Sequence, residues 1–133
     1  MIRFALATLL MVGSCQLAPA RDNGQWEDTS PELRAWYREL MQPDNPEVPC
    51  CGEADAYYAD SFEGKDGQYV AIITDTRDDG PLGRAHVAPG TKVVVPNNKL
   101  KYDRGNPTGH GVIFLNVIDG DIGVLCYVVP GGV

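Results

Sequence analysis

The sequence predicts a mainly β domain with one N-terminal helix, built as a small antiparallel sandwich or barrel-like fold and cross-linked by a disulfide. Two observations predict this fold class. A single helical stripe of apolar residues occurs at residues 33–40. Apolar, β-branched runs then follow at residues 68–75, 112–118 and 124–129, separated by turns rich in glycine and proline.

The first twenty residues are typical of a cleavable signal peptide. Arg3 supplies the positive charge of a short n-region, and residues 4–13 form an uncharged apolar stretch too short to span a bilayer. Ala18-Pro19-Ala20 is the small-x-small pattern that a signal peptidase cuts, which predicts cleavage between Ala20 and Arg21. We therefore expect an exported protein, either periplasmic or secreted.

Lipidation is the alternative reading of the same segment. Val12-Gly13-Ser14-Cys15 resembles a lipobox, in which Cys15 would receive the acyl chains. Serine before the cysteine fits this pattern less well than glycine or alanine, and the Ala-x-Ala site is well formed. Cleavage after Ala20 is the favoured prediction, and a lipoprotein attached through Cys15 is the minority alternative.

Cleavage of the 133-residue chain would leave 113 residues, enough for one small domain. We expect a flexible lead-in at residues 21–28 and a single domain at residues 29–133. The mature chain would carry 18 acidic and 10 basic residues, a net charge of −8 that repels phosphate backbones and argues against nucleic acid as a partner. No second apolar stretch is long enough to predict a transmembrane segment in the mature chain.

A helix is predicted over about residues 30–41. Thr29 or Ser30 can cap it, Pro31 suits its first turn, and Glu32 completes a Thr-x-x-Glu capping box. Three prolines at positions 43, 46 and 49 then end the helix. The apolar stripe has helical spacing and consists of Leu33, Trp36, Tyr37 and Leu40.

A β domain is predicted over about residues 57–130. The run at residues 112–118 is joined to that at 124–129 by the turn-like Asp119-Gly120-Asp121-Ile122-Gly123, which indicates a hairpin. Strands that are apolar on both faces belong in a sandwich, a barrel or a helix-covered sheet. The predicted strands are Gln68–Asp75, the short segments Arg84–Ala88 and Lys92–Pro96, and then Val112–Ile118 and Val124–Val129.

The cysteines predict one cross-link. Neighbouring Cα atoms are about 3.8 Å apart, below the usual disulfide range, so Cys50 and Cys51 do not bond each other. An exported chain lives where disulfides persist, so one of the two is expected to bond Cys126 in the last strand. The remaining cysteine would be an odd thiol, which could also join two chains as a covalent homodimer.

His110 is the one candidate base next to a predicted strand. Asn106-Pro107-Thr108-Gly109 fits a turn, and His110 follows it at the mouth of the strand 112–118. The favoured interpretation is a half-exposed edge residue. The order of a cysteine followed by a histidine opening a strand resembles the NlpC-type cell-wall peptidases. That resemblance implies Cys50 or Cys51 as the nucleophile and His110 as the base.

Metal and cofactor sites are not predicted. Asp75–Gly80 begins like a calcium loop, but Arg77 occupies a ligand position and the twelfth residue is His86 instead of glutamate. A solvated acidic loop is the favoured interpretation. Cys50, Cys51, Cys126 and His110 include the residue types of a zinc site, but adjacent thiols lack its usual spacing.

Short motifs across residues 36–130 resemble a group of small, exported bacterial proteins with no known activity. They are Trp36-Tyr37, then Cys50-Cys51-Gly52 with Asp55, then Asn106-Pro107-Thr108-Gly109, and a closing Cys126-Tyr127-Val128-x-Pro130. In that group a further cysteine often follows the aspartate, where this chain has Ala56. The resemblance implies that one of Cys50 and Cys51 lacks its usual partner. We expect that residue to be Cys50 and Cys51 to be bonded to Cys126, with Cys50 as the alternative partner of Cys126.

The function expected from these features is a binding or structural module of the cell envelope. Its partner would be an envelope protein or a ligand that the sequence does not identify. The alternative is a thiol hydrolase that acts on cell-wall peptides through Cys50 or Cys51 and His110. An enzyme is the less favoured of the two, because no third residue is placed by the sequence to orient the imidazole.

Overall fold

The computed structural model of the chain describes residues 29–130. The predicted signal peptide, its cleavage site between Ala20 and Arg21, Cys15 and the lead-in lie outside the described residues. The elements, in chain order, are helix α1 (Pro31–Glu39), strands β1 (Met41–Gln42), β2 (Asn45–Pro49), β3 (Ala56–Glu63) and β4 (Tyr69–Ile73), the short helix α2 (Asp79–Leu82), and strands β5 (Lys92–Val95), β6 (Leu100–Lys101), β7 (Gly111–Ile118) and β8 (Asp121–Val128).

Helix α1 forms close to where the sequence predicts it. The Ser30 hydroxyl accepts a hydrogen bond from the Leu33 amide at 3.2 Å, and Pro31 takes the first helical position. Leu40 is already extended, so the helix is two residues shorter at its end than expected. The prolines that follow lie in a small hairpin of β1 and β2, which the sequence analysis did not predict.

The main sheet has six strands in the order β5-β4-β3-β7-β8-β6 and curls into a half-barrel. All neighbouring strands are antiparallel except β6, which runs parallel to β8. The hairpin of β7 and β8 turns at Asp119 and Gly120, both with positive φ, where the sequence predicts it. The mainly β fold class with one N-terminal helix and a disulfide is confirmed.

Alternation along the strands gives the sheet two different faces. We call the first the core face, because it carries a buried apolar cluster drawn from five strands and the following loops. Its large buried members include Tyr57, Ile113, Leu115 and Tyr127. We call the second the helix face, because α1 packs on the part of it that carries Ala56, Val112 and Phe114.

The disulfide corrects the sequence prediction in one respect. Cys126 is bonded to Cys50, with Cα atoms 5.7 Å apart, and not to Cys51. The Cys50 amide donates to the Leu40 carbonyl at 2.9 Å, and both Cys50 and Cys126 are completely buried under α1. Cys51 has a φ of 82°, in the left-handed region that non-glycine residues rarely adopt. The prediction of an odd thiol is also wrong. No cysteine within residues 29–130 is free, and this includes Cys51.

Two strand predictions differ from the structure. The segment Arg84–Ala88 is not a strand: the Ala85 carbonyl accepts a hydrogen bond from the Tyr57 hydroxyl, and the Arg84 side chain donates to the Ala56 carbonyl. Strand β3 was not predicted as an element, although it is paired on both sides at the centre of the sheet. Its polar residues Asp60 and Ser61 interrupt the apolar pattern.

No helix among the described residues is long and apolar enough to cross a membrane.

Candidate functional site

A buried carboxylate lies just beyond the end of β4. The Asp75 side chain is fully buried, and both of its oxygens accept backbone hydrogen bonds. The Tyr58 amide donates to Oδ2 at 3.0 Å, and the Arg77 amide donates to Oδ1 at 3.0 Å. Asp75 therefore connects strand β3 to the loop after β4, and its negative charge must be balanced inside the protein.

Two guanidinium groups balance this charge. Arg77 binds side-on, with Nε 2.9 Å from Oδ1 and Nη2 2.6 Å from Oδ2 of Asp75. Arg84 is almost completely buried and donates from Nη1 to Asp75 Oδ2 at 2.7 Å and to the Ala56 carbonyl at 2.8 Å. Its Nη2 also donates to the Arg77 carbonyl at 3.2 Å. The two arginines hold the start of β3 against the loop that follows β4.

This arrangement keeps Asp75 ionised. Burial alone would raise the pKa of the carboxyl group, but the hydrogen bonds from Arg77 and Arg84 outweigh burial and hold the pKa of Asp75 well below its ordinary value. Burial likewise opposes the charge on Arg84, and its hydrogen bonds to Asp75 and Asp79 raise its pKa in spite of this. The charged form of each group is therefore stabilised by its partner.

The ion pairs continue from Arg84 to the surface. Arg84 Nε donates to Asp79 Oδ1 at 2.6 Å, and Nδ1 of the exposed His86 lies 2.6 Å from Asp79 Oδ2. The interpretation of residues 75–80 as a solvated acidic loop is therefore wrong for Asp75, and Asp79 is also paired. Arg77, which argued against a calcium loop in the sequence, is a principal partner of Asp75.

Arg77 and His110 both contact the ring of Tyr58, which stands on β3. The Arg77 guanidinium carbon lies 3.8 Å from the ring centroid, a cation–π distance. The imidazole of His110 stacks on the same ring, with centroids 4.4 Å apart and planes inclined by 18°. We call these three residues the Tyr58 surface. The sequence prediction selected His110, but it did not select Tyr58 or Arg77 as site residues.

The loop before β7 holds His110 in place through side-chain bonds to its backbone. The Asn106 amide group donates to the His110 carbonyl at 2.7 Å, and the His110 amide donates to the Thr108 hydroxyl at 3.1 Å. Asn106 Oδ1 in turn accepts from the amide and the hydroxyl of Thr108 at 3.0 and 2.7 Å. The Asn-Pro-Thr-Gly motif therefore fixes the backbone of His110, while its imidazole stays exposed on Tyr58.

Gly111 lets β7 approach closely just after His110. A Cβ atom there would collide with the Ala59 carbonyl oxygen and would lie 2.7 Å from the Tyr127 hydroxyl, far inside contact distance. Only glycine fits this position without displacing β3 or β8. The glycine after the histidine is thus a sequence signal for close strand packing, and it places His110 beside β3.

Helix α1 contacts the same region through Trp36 and Tyr37. Trp36 Nε1 donates to Asp103 Oδ2 at 2.8 Å, which joins the helix to the loop that carries His110. Tyr37 is buried, and its ring packs edge-on to Trp36 and Phe114. Burial raises the pKa of Tyr37, with Tyr58 as the next contribution, so Tyr37 is a neutral member of the core.

The cysteines suggested as nucleophiles are not thiols in the structure. Cys50 is bonded to Cys126, and Cys51 is not free. A thiol hydrolase needs a thiolate as its nucleophile. The imidazole of His110, which would be the base, stacks on the Tyr58 ring. Within residues 29–130, no three cysteine, histidine, aspartate or glutamate residues are grouped so that they could hold a metal ion.

Comparisons of the chain with family models, curated proteins and solved structures gave no match.

Proposed function

We propose that the protein is an exported binding module of the cell envelope and that the Tyr58 surface is its binding site. The ligand class that fits this surface is a carboxylate next to a flat apolar group, as in the C-terminal residue of a peptide. The observation that carries the proposal is the state of Arg77, a fixed guanidinium with one edge open beside an exposed aromatic stack.

Arg77 supplies the anion-binding part of the site. Its Nε and Nη2 are held by Asp75, whereas Nη1 has no hydrogen-bond partner among residues 29–130. The side chain keeps 35% of its surface exposed. A guanidinium that is already fixed loses little conformational entropy when it binds a carboxylate, and the charge-assisted hydrogen bond is one of the stronger kinds.

His110 supplies the flat part of the site. Its imidazole covers one side of Tyr58, is exposed, and has its backbone fixed by Asn106 and Thr108. Aromatic rings and amide planes stack on such a surface. Because His110 and Arg77 pack on the same tyrosine ring, a ligand that spans this ring can contact both.

Export is the part of the proposal that rests on the sequence alone. The support is the apolar stretch at residues 4–13 and the cleavage pattern at Ala20. The net charge of −7 for the full chain disfavours a polyanion as the ligand, because the acidic surface would repel it.

Matched ligands and matched variants test the proposal. We expect N-acetyl-L-phenylalanine to bind more tightly than its neutral carboxamide in isothermal titration calorimetry. Arg77→Gln should weaken binding of the acid by roughly 10- to 100-fold, the loss that corresponds to one charge-assisted hydrogen bond. Arg38→Gln, at an exposed position on α1, is the control and should leave the affinity unchanged. Equal binding of the acid and the carboxamide would refute the proposal.

A further inference from the structure

A part of the helix face that α1 does not cover carries a regular set of apolar and charged side chains. Strand pairing places Phe62 of β3 beside Val70 of β4, and Val70 beside Val94 of β5. The next row on the same face contains Asp60, Ile72 and Lys92 in the same strand order. We call these six residues the outer patch.

The outer patch is open where a sheet face is normally covered. Phe62 is 45% exposed and Val94 is 55% exposed, although both stand on paired strands. The cluster under α1 instead consists of residues from the helix, from the start of β3 and from β7 and β8. An apolar row on a sheet face that no described element covers is typical of an interaction surface.

The charges of the outer patch are arranged so that the patch is complementary to itself. Asp60 and Lys92 lie at opposite ends of one row, and neither forms an ion pair with a residue in the range 29–130. A twofold axis directed along β4 exchanges β3 and β5 between two copies. This operation places Asp60 opposite Lys92 of the other copy, and Phe62 opposite Val94, with Val70 and Ile72 at the axis.

We propose that two copies of this chain associate face to face through the outer patch. The interface is a sandwich of two sheets about 10 Å apart, in which the apolar row of each copy covers that of the other. Edge-to-edge pairing is disfavoured, because the edge strand β5 has only four residues and carries Lys92. Charge complementarity thus selects a second copy as the occupant of the patch. The inference is independent of ligand binding at the Tyr58 surface.

Sedimentation equilibrium of the full chain tests this interface. We expect the wild type to dimerise and Phe62→Glu to shift the equilibrium to monomer, with a dissociation constant at least ten times higher. Ile118→Glu is the matched control, because Ile118 is 60% exposed at the β7–β8 turn, away from the patch. Thermal unfolding by circular dichroism establishes that both variants are folded.

A charge exchange identifies the twofold pairing itself. Asp60→Lys alone and Lys92→Asp alone each place like charges across the interface and should weaken the dimer. The double variant Asp60→Lys/Lys92→Asp restores opposite charges and should restore the wild-type dissociation constant. A wild type that stays monomeric up to its solubility limit would overturn the proposal, and so would a dimer that survives Phe62→Glu or a double variant as weak as the single ones.

Discussion

Asp75 receives five hydrogen bonds from three residues that belong to different segments of the chain. They come from the backbone of Tyr58, the backbone and side chain of Arg77 and the side chain of Arg84. If this carboxylate is lost, Arg84 stays buried with only Asp79 as a charged partner, and Arg77 loses the contact that directs its open edge. Stability and site geometry therefore depend on the same residue.

Asp75→Asn should lower the free energy of unfolding at pH 7 by about 3–5 kcal/mol, the usual effect of removing one partner of a buried ion pair. The folded-state pKa of Asp75 lies below its unfolded value of 3.8, so its contribution is present above about pH 4 and is lost as pH falls through the folded pKa. Urea unfolding of the two proteins should thus differ more at pH 7 than at pH 3. Asp121→Asn, at an exposed position, is the control, and a difference that grows on acidification would contradict this account.

The sequence identifies some of these residues but not the contacts between them. His110 was selected because a histidine after a turn is visible in the pattern. Asp75 and Arg84 are nine positions apart in a stretch that shows no periodicity, so neither their burial nor their contact could be deduced from spacing. Arg77 occupies a position where a calcium loop needs a ligand, and this much is visible in the sequence. Its contact with Tyr58 is not, because it depends on the pairing of β3 with β4 and β7.

At the scale of elements, the loop of residues 103–110 holds α1 and β7 together through side-chain hydrogen bonds. Asp103 fixes one end of the loop on Trp36, and Asn106 fixes the other end on the backbone of His110.

Strands with continuous apolar runs were predicted well, as β7 and β8 show. The central strand β3 was missed because half of its helix face is left open and carries Asp60, so its pattern differs from that of a fully covered strand.

Asn106→Ala should release His110 from Tyr58. The substitution removes both the donor to the His110 carbonyl and the acceptor for Thr108, so the imidazole loses its fixed position. We expect the side-chain proton resonances of His110 to move toward random-coil positions, because they leave the ring-current field of Tyr58. Asn97→Ala, in an exposed turn, serves as the control. Unchanged His110 resonances in Asn106→Ala would show that the stack does not depend on this loop.

For the whole molecule, the disulfide joins the segment after the N-terminal hairpin to the last strand of the sheet. Cys50 and Cys126 are 76 positions apart and meet under α1, where they connect the segment after β2 to the last strand. The sequence could predict that Cys126 is cross-linked to the cysteine pair. It could not choose the member, because the choice depends on the positive φ at Cys51 that turns the chain after Cys50.

Cys50→Ala/Cys126→Ala should lower the free energy of unfolding by about 4 kcal/mol, the chain-entropy value for a loop of this length. For so small a domain this is a large share of the total stability, and the melting temperature should fall sharply. Peptide mapping of the wild type without reduction should find Cys126 joined to Cys50. A peptide that joins Cys126 to Cys51 would contradict the structure and restore the pairing implied by the sequence.

We propose that the ion pairs around Asp75 and the loop at Asn106 together build a binding surface on Tyr58. The most direct test of this proposal is an NMR titration of ¹⁵N-labelled protein with N-acetyl-L-phenylalanine, in which the backbone amides and the Arg77 Nε–H group are followed. We predict that the largest shift changes occur at Tyr58, Arg77 and His110, and that Phe62 and Val94 change little. Changes centred on another face, or none at ligand concentrations that saturate the calorimetric signal, would contradict the account.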